Sequence, residues 1–432
     1  MSKSTIQSIR AFEILDSRGR PTLEAHLTLS SGLTAAAQVP SGASTGLSEA
    51  HELRDADPAR YRGLGVLRAV HNVNAEINAA LAGLDPLDQT LIDQTLISLD
   101  GTPNKSRLGA NAILSASCAT ARAASLLTGQ PLWRYLAGAR PAVLPLPMVN
   151  ILSGGLHAAH AMEFQDFLAI PHAAPSFAEA MRWINSIHHS ARLLLEAAGA
   201  YFTGVADEGG WGPKLPTNEA ALSLLTRAIE HAGLQPGAQV SIALDVASSH
   251  FFRDGLYHLQ SESRSLTAPE FISLLDHWCR NYPVVSIEDG LDQSAWSDWP
   301  ALTARLGAQA QIIGDDFLTT NPQRLSRAIA ESSANAVLVK MNQIGTLTET
   351  FAVIDQARAA GWRAVISARS GETEDSFLTD LAIASGMAQL KVGSITRSER
   401  LAKYNRALIL EQTASLPHWS AAPALLPPTR PR

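Results

Sequence analysis

Cysteine is nearly missing: the 432 residues hold two, Cys118 and Cys279, far apart in the chain. That excludes a disulfide framework and a four-ligand zinc ribbon, and makes a reducing cytoplasm the expected setting. Long apolar runs are missing too. The N-terminal MSKSTIQSIRAF has no signal-peptide core, and no stretch of about 18 apolar residues occurs, so neither export nor a membrane span is expected. Positive charge is not in excess. Lys plus Arg number 34 against 40 Asp plus Glu, a net −6, which argues against a grip on nucleic-acid phosphates. No G-x-G-x-x-G follows a first strand, which weakens a dinucleotide-binding fold. The remaining composition, 46% hydrophobic and 17% charged, is that of a globular chain long enough for two or three domains.

Residues 6–40 predict an antiparallel meander. IQSIRAFEIL, TLEAHLTL and LTAAAQV are strand-like, with turn signals at Asp16-Ser17-Arg18-Gly19 and Ser30-Ser31-Gly32. From about 47 to 138, alanine and leucine recur at helical spacing, so the first 140 residues predict an α+β domain. Pro141, Pro145 and Pro147 mark the boundary. Beyond it, FLAIP, VSIALDV, PVVSIED, QIIGDD, NAVLVKMN, RAVISARS and AQLKVGS alternate with helical stretches, the rhythm of βα units. Residues 141–432 are long enough for a barrel of about 250 residues. A doubly wound open sheet is the competing architecture. The tail LPHWSAAPALLPPTRPR predicts an irregular extension.

Six of those runs close on a chemically capable side chain: Asp245, Glu288, Asp315, Lys340, Arg369 and Lys391. In a barrel, C-terminal strand ends share one mouth. One such carboxylate would equally well cap a helix. Three on successive strands make a hard oxygen cluster that suits Mg2+ better than Zn2+. Lys340 beside it is a candidate base, its ammonium form disfavoured by a nearby cation. Arg369-Ser370-Gly371 offers a planar fork, a hydroxyl and close backbone approach to an oxyanion, with a helix start expected near Thr373-Glu374-Asp375. Glu208, in the glycine-rich ADEGGWGP, is a candidate acid. Two motifs mislead. Gly42-Ala43-Ser44-Thr45-Gly46 matches the hydrolase G-x-S-x-G but follows a meander near the start of the chain. His157 and His160 lack the glutamate of a zinc H-E-x-x-H, so a loop histidine meeting substrate is expected there.

The stretches DSRGRPTLEA, VPSGASTG, GGLHAAHA, ADEGGWGP, ALDVASSHFF, SIEDGLDQSAW, GDDFLTTNP, VKMNQIGTLTET, RSGETED and RSERLAKYN stand in an order that resembles the enolase family over nearly the whole length. The resemblance implies an α/β fold, an enolase-type TIM-like barrel over 141–432 preceded by an α+β N-terminal cap domain over 1–140. The barrel's first strands would run differently from a regular (β/α)8. It implies two Mg2+ ions, a small phosphorylated carboxylic acid as substrate, a homodimer or homo-octamer, and reversible dehydration of 2-phospho-D-glycerate to phosphoenolpyruvate. By resemblance the metal ligands fall on Asp245, Glu288 and Asp315, with Ser44 on a mobile loop over 41–46 serving the second ion. The base falls on Lys340 and the acid on Glu208. Substrate contacts fall on His157, Gln165, Asp166, Arg369, Ser370 and Lys391.

Three positions depart from the family. Its Q-E-F is Gln165-Asp166-Phe167, its S-H-R-S-G is Ser367-Ala368-Arg369-Ser370-Gly371, and its N-G-G is Ser153-Gly154-Gly155. A carboxylate retracted by one methylene moves about 1.5 Å, enough to cost roughly 100-fold in rate. Loss of an imidazole that moves a proton costs ~10²–10⁴-fold. Enolate formation is therefore better supported than loss of hydroxide. An alternative is an enolase-family paralogue acting on a related phospho- or phosphono-carboxylate, as the carboxyphosphonoenolpyruvate synthase of phosphonate pathways does. A scaffold protein would have no use for such a lysine and carboxylate mouth.

Overall fold

A computed structural model describes residues 4–42, 46–158, 160, 162–200 and 204–421. Strands β1 (Ile6–Leu15), β2 (Pro21–Leu29) and β3 (Thr34–Gln38) form the expected antiparallel meander. Alternation seats Leu23, Ala25 and Leu27 in the core with Glu24, His26 and Thr28 on the other face. Helix Ala110–Leu127 packs on β2 and β3 and is buried almost all round. Its alanines and serines allow close approach on every side, which is why its hydrophobicity has no single polar face. The region after residue 46 is less helical than its composition suggests. Residues 46–60 carry no helix, and the first α-helix begins at Leu67, after Gly63 and Gly65.

The rest of the chain builds a closed eight-stranded barrel. Its strands are β4 (Leu146–Ser153), β5 (Asp166–Ile170), β6 (Ser241–Asp245), β10 (Val284–Glu288), β11 (Gln311–Gly314), β12 (Ala336–Val339), β13 (Arg363–Ser367) and β14 (Gln389–Gly393). Three short strands, β7 (Phe252–Arg253), β8 (Leu256–Leu259) and β9 (Arg264–Leu266), form a separate small sheet between β6 and β10. Closure excludes the open-sheet alternative. Strand β5 pairs antiparallel with both β4 and β6, and the other barrel pairs are parallel. The link from β4 to β5 holds only a 3-10 turn and no α-helix, and β5 returns the other way. Its first residue therefore reaches the mouth that the other strands reach with their last: Asp166 lies opposite Asp245 and Ser153.

Cap and barrel are joined by partly buried ion pairs. Arg122 makes a forked ion pair with Asp375, and Lys105 Nζ stands 3.0 Å from Glu349. The helix expected near Thr373 begins at Phe377. Asp375 accepts from the Phe377 N–H, so that helix start holds a protein carboxylate and supplies no anion site.

Candidate active site

Following the barrel round from β6 to β14, the strand ends bring Asp245, Glu288, Asp315, Lys340, Arg369 and Lys391 to one mouth. All are buried but Lys340, which is partly so. Lys391 Nζ lies 2.8 Å from Asp245 and 2.7 Å from Glu288. Lys340 Nζ lies 2.5 Å from Asp315, whose other oxygen accepts from Gln343 at 2.8 Å. Gln165 Nε2 donates to Asp245 at 3.1 Å. Burial alone would lower both lysines, but their carboxylate partners outweigh it: Lys340 is raised by Asp315, and Lys391 is raised well above its usual value by Asp245 and Glu288.

Two carboxylates that the sequence pattern did not single out stand with them. Asp289 has a left-handed backbone, φ 45°, which turns its side chain to accept the N–H groups of Asp315 (2.9 Å) and Asp316 (2.8 Å). Asp289, Asp315 and Asp316 offer oxygens within 4.8 Å of one another. The signal was present as the doublets Glu288-Asp289 and Asp315-Asp316. Burial, then the charges of its neighbours, pushes Asp289 well up and Asp316 up to about 7. Burial and the Asp245 charge raise Glu288 likewise. This is more buried negative charge than the lysines balance. The donors are all oxygens, so the group fits a hard divalent cation such as Mg2+. Of the three ligands expected from the resemblance, Asp315 lies in this tight group, whereas Asp245 and Glu288 are bridged by Lys391. Ser44 lies outside the described residues.

The opposite wall is built differently. His157, on the short 3-10 turn Gly155–Ala158, has Nδ1 2.9 Å from Asp166 and Nε2 3.7 Å from Glu208. Asp166 accepts at its other oxygen from Ser153 Oγ at 3.0 Å and from Asn150 Nδ2. Two of the three departures thus touch each other. Asp166 is wholly buried behind the imidazole, and it is His157 and Glu208 that line the cavity. Burial would lower His157, but Asp166 and Glu208 outweigh it and raise it to about 9. Burial would raise Glu208, but His157, Arg400 and Lys391 hold it below its usual value. The proton of this pair therefore rests on the imidazole. Ala368 faces the same cavity.

Arg369 and Ser370 complete the wall. Arg369 pairs with Glu49 of the cap at 2.6 Å, and the Gly46 N–H donates to the same Glu49 carboxylate at 2.8 Å. A Cβ on Gly42 would stand 1.9 Å from Arg369 Nη2, so a side chain there would push the guanidinium from its place.

A closed barrel with lysines, carboxylates and an arginine at one mouth, with an N-terminal cap, has the architecture of an α/β-barrel enzyme. Residues 141–419 match the family described as enolase, C-terminal TIM barrel domain, and residues 6–136 match enolase, N-terminal domain. The chain belongs to the enolase family. Sites of the enolase superfamily are already known to use a lysine or histidine base with one or two Mg2+ ions, and the general reaction here is of that enolase type.

Proposed function

We propose that this protein interconverts 2-phospho-D-glycerate and phosphoenolpyruvate, the dehydration step of glycolysis. The carrying observation is that one cavity is lined at once by Lys340, by Lys391, Arg369 and Ser370, and by Glu208 with His157. When bound, two Mg2+ ions, one on Asp245, Glu288 and Asp315 and a second with substrate and Ser44, supply Lewis-acid stabilisation of the substrate carboxylate. Lys340 takes the α-proton. Lys391 and Gln165 hold the acid end of the substrate, and Arg369 and Ser370 hold its phosphate. Glu208, next to the His157 proton, assists loss of the hydroxide. The cap closes the mouth and excludes water, which strengthens each of these interactions. The same reading places the division between cap and barrel near residue 140, the enzyme in the cytoplasm, and its state as a homodimer or homo-octamer. Among the described residues no helix is long and apolar enough to cross a membrane.

The withdrawn Asp166 and the small Ala368 favour a second reading, a paralogue that takes a related phospho- or phosphono-carboxylate with a larger substituent at the leaving end. Two rates separate them, both measured with Mg2+ beside an EDTA control: α-proton exchange of 2-phosphoglycerate in D2O, and phosphoenolpyruvate formation. Turnover of about 1–10³ per second supports the dehydratase. Exchange without product supports the paralogue. Neither rate above the control refutes both.

A further inference from the structure

The helix Ser398–Thr413 turns a charged face inward, with Arg400 and Lys403 both wholly buried. Arg400 donates from Nη1 to the carbonyls of Arg369 (2.6 Å) and Val392 (3.1 Å), and from Nη2 to that of Ser370. Lys403 donates to Glu372 at 2.7 Å and to the Thr373 carbonyl. The Tyr404 hydroxyl donates to the Gly393 carbonyl at 2.9 Å. One helix face thus holds main-chain oxygens from the segment after β13 and from the end of the neighbouring β14. A buried guanidinium is costly unless its donors are met; here both Nη atoms meet carbonyls, two of them in the segment that carries the anion grip, and Nε stands 3.5 Å from Glu399.

A trans peptide points its carbonyl and the following N–H to opposite sides, and the chain has no cis peptide. With the Arg369 carbonyl turned to Arg400, the Ser370 N–H is turned away from it, and Ser370 lines the cavity. The Gly371 N–H goes elsewhere, to the Ser41 carbonyl at 3.1 Å. The acid loop rests on the same support. Ser394 N–H donates to the Glu208 carbonyl at 2.8 Å, and a Cβ on Gly393 would stand 3.0 Å from that oxygen and 3.1 Å from Arg400 Cδ.

We propose that Arg400 is a positioning residue whose fork turns the Ser370 N–H into the cavity as a main-chain donor to the substrate's tetrahedral oxyanion. This rests on the reading that Arg369 and Ser370 grip such an anion. The N–H adds a donor of fixed direction beside the Arg369 side chain, and Arg400 acts on the anion through the backbone.

The test uses the full chain with Mg2+ and inorganic phosphate as probe, comparing Arg400→Lys, Arg400→Met and Arg369→Ala with the parent. Arg400→Met should weaken phosphate binding about tenfold or more, the worth of a hydrogen bond to a charged group. Arg400→Lys, a point charge in place of a fork, should fall between Met and the parent. Mg2+ affinity should change far less than phosphate affinity in both. Unchanged phosphate binding in Arg400→Met overturns the proposal, and so does parallel loss of phosphate and Mg2+ with a lowered melting temperature. If Arg369→Ala binds phosphate as the parent does, the anion reading itself fails. Amide exchange without ligand then judges Arg400: Arg400→Met should speed exchange at 369–371 and 392–394 above the rest of the barrel, and equal exchange there overturns the proposal.

Discussion

At position 166 the carboxylate fills the space behind His157 and is held by Asn150 and Ser153, so one methylene decides whether it supports the imidazole or enters the cavity. Asp166→Glu combined with Ala368→His should raise phosphoenolpyruvate formation from 2-phosphoglycerate by about tenfold or more. No gain in the double variant would show that these positions do not limit the reaction. Because Ser153 touches Asp166, adding Ser153→Asn to that pair should be non-additive, with a coupling of about 0.5–3 kcal/mol in transition-state energy. Lys340→Ala should abolish α-proton exchange with solvent while inorganic phosphate still binds. Exchange at the parent rate in Lys340→Ala would remove the lysine from the role of base.

The elements carry a pH dependence of their own. His188 on the helix Phe177–Ala197 stacks on Trp211, ring centres 4.7 Å apart, and its Nε2 faces the Gly209 carbonyl at 3.3 Å. Burial lowers it to about 4. Its folded value lies below its unfolded value of about 6.5, so its contribution to stability is complete above pH 6.5 and is lost as pH falls toward 4. Melting temperature should fall across that window by less in His188→Gln than in the parent, and an equal fall would contradict the assignment. The same elements show what sequence can carry. Seven barrel strands are legible because each is a short apolar run, six of them closing on a polar residue. Strand β4 is not, since Pro141, Pro145 and Pro147 look like a linker although the strand runs through Pro147. The small β7–β9 sheet is too short to leave a period. Strand-end residues of the site were visible for the same reason as the strands. Asp289 escaped because its role depends on a left-handed φ, and Arg400 because a helix face packed behind the mouth leaves no local pattern.

For the whole molecule, the surplus of buried carboxylates makes folding and cation binding one equilibrium. Mg2+ at a hundred times its dissociation constant should add about 2.7 kcal/mol to stability, and EDTA should lower the melting temperature accordingly. An EDTA-insensitive melting temperature would contradict a metal site in the folded mouth.

The barrel closes where β14 pairs with β4, its last strand against its first. On a ribosome that joint cannot form until nearly the whole chain has emerged, at about 5–20 residues per second. The first barrel strands must therefore wait, seconds at a time, with β4 lacking its final partner. Arg369, Lys391 and Arg400 arrive late, so a chain cut short before β14 can neither close the barrel nor complete the mouth.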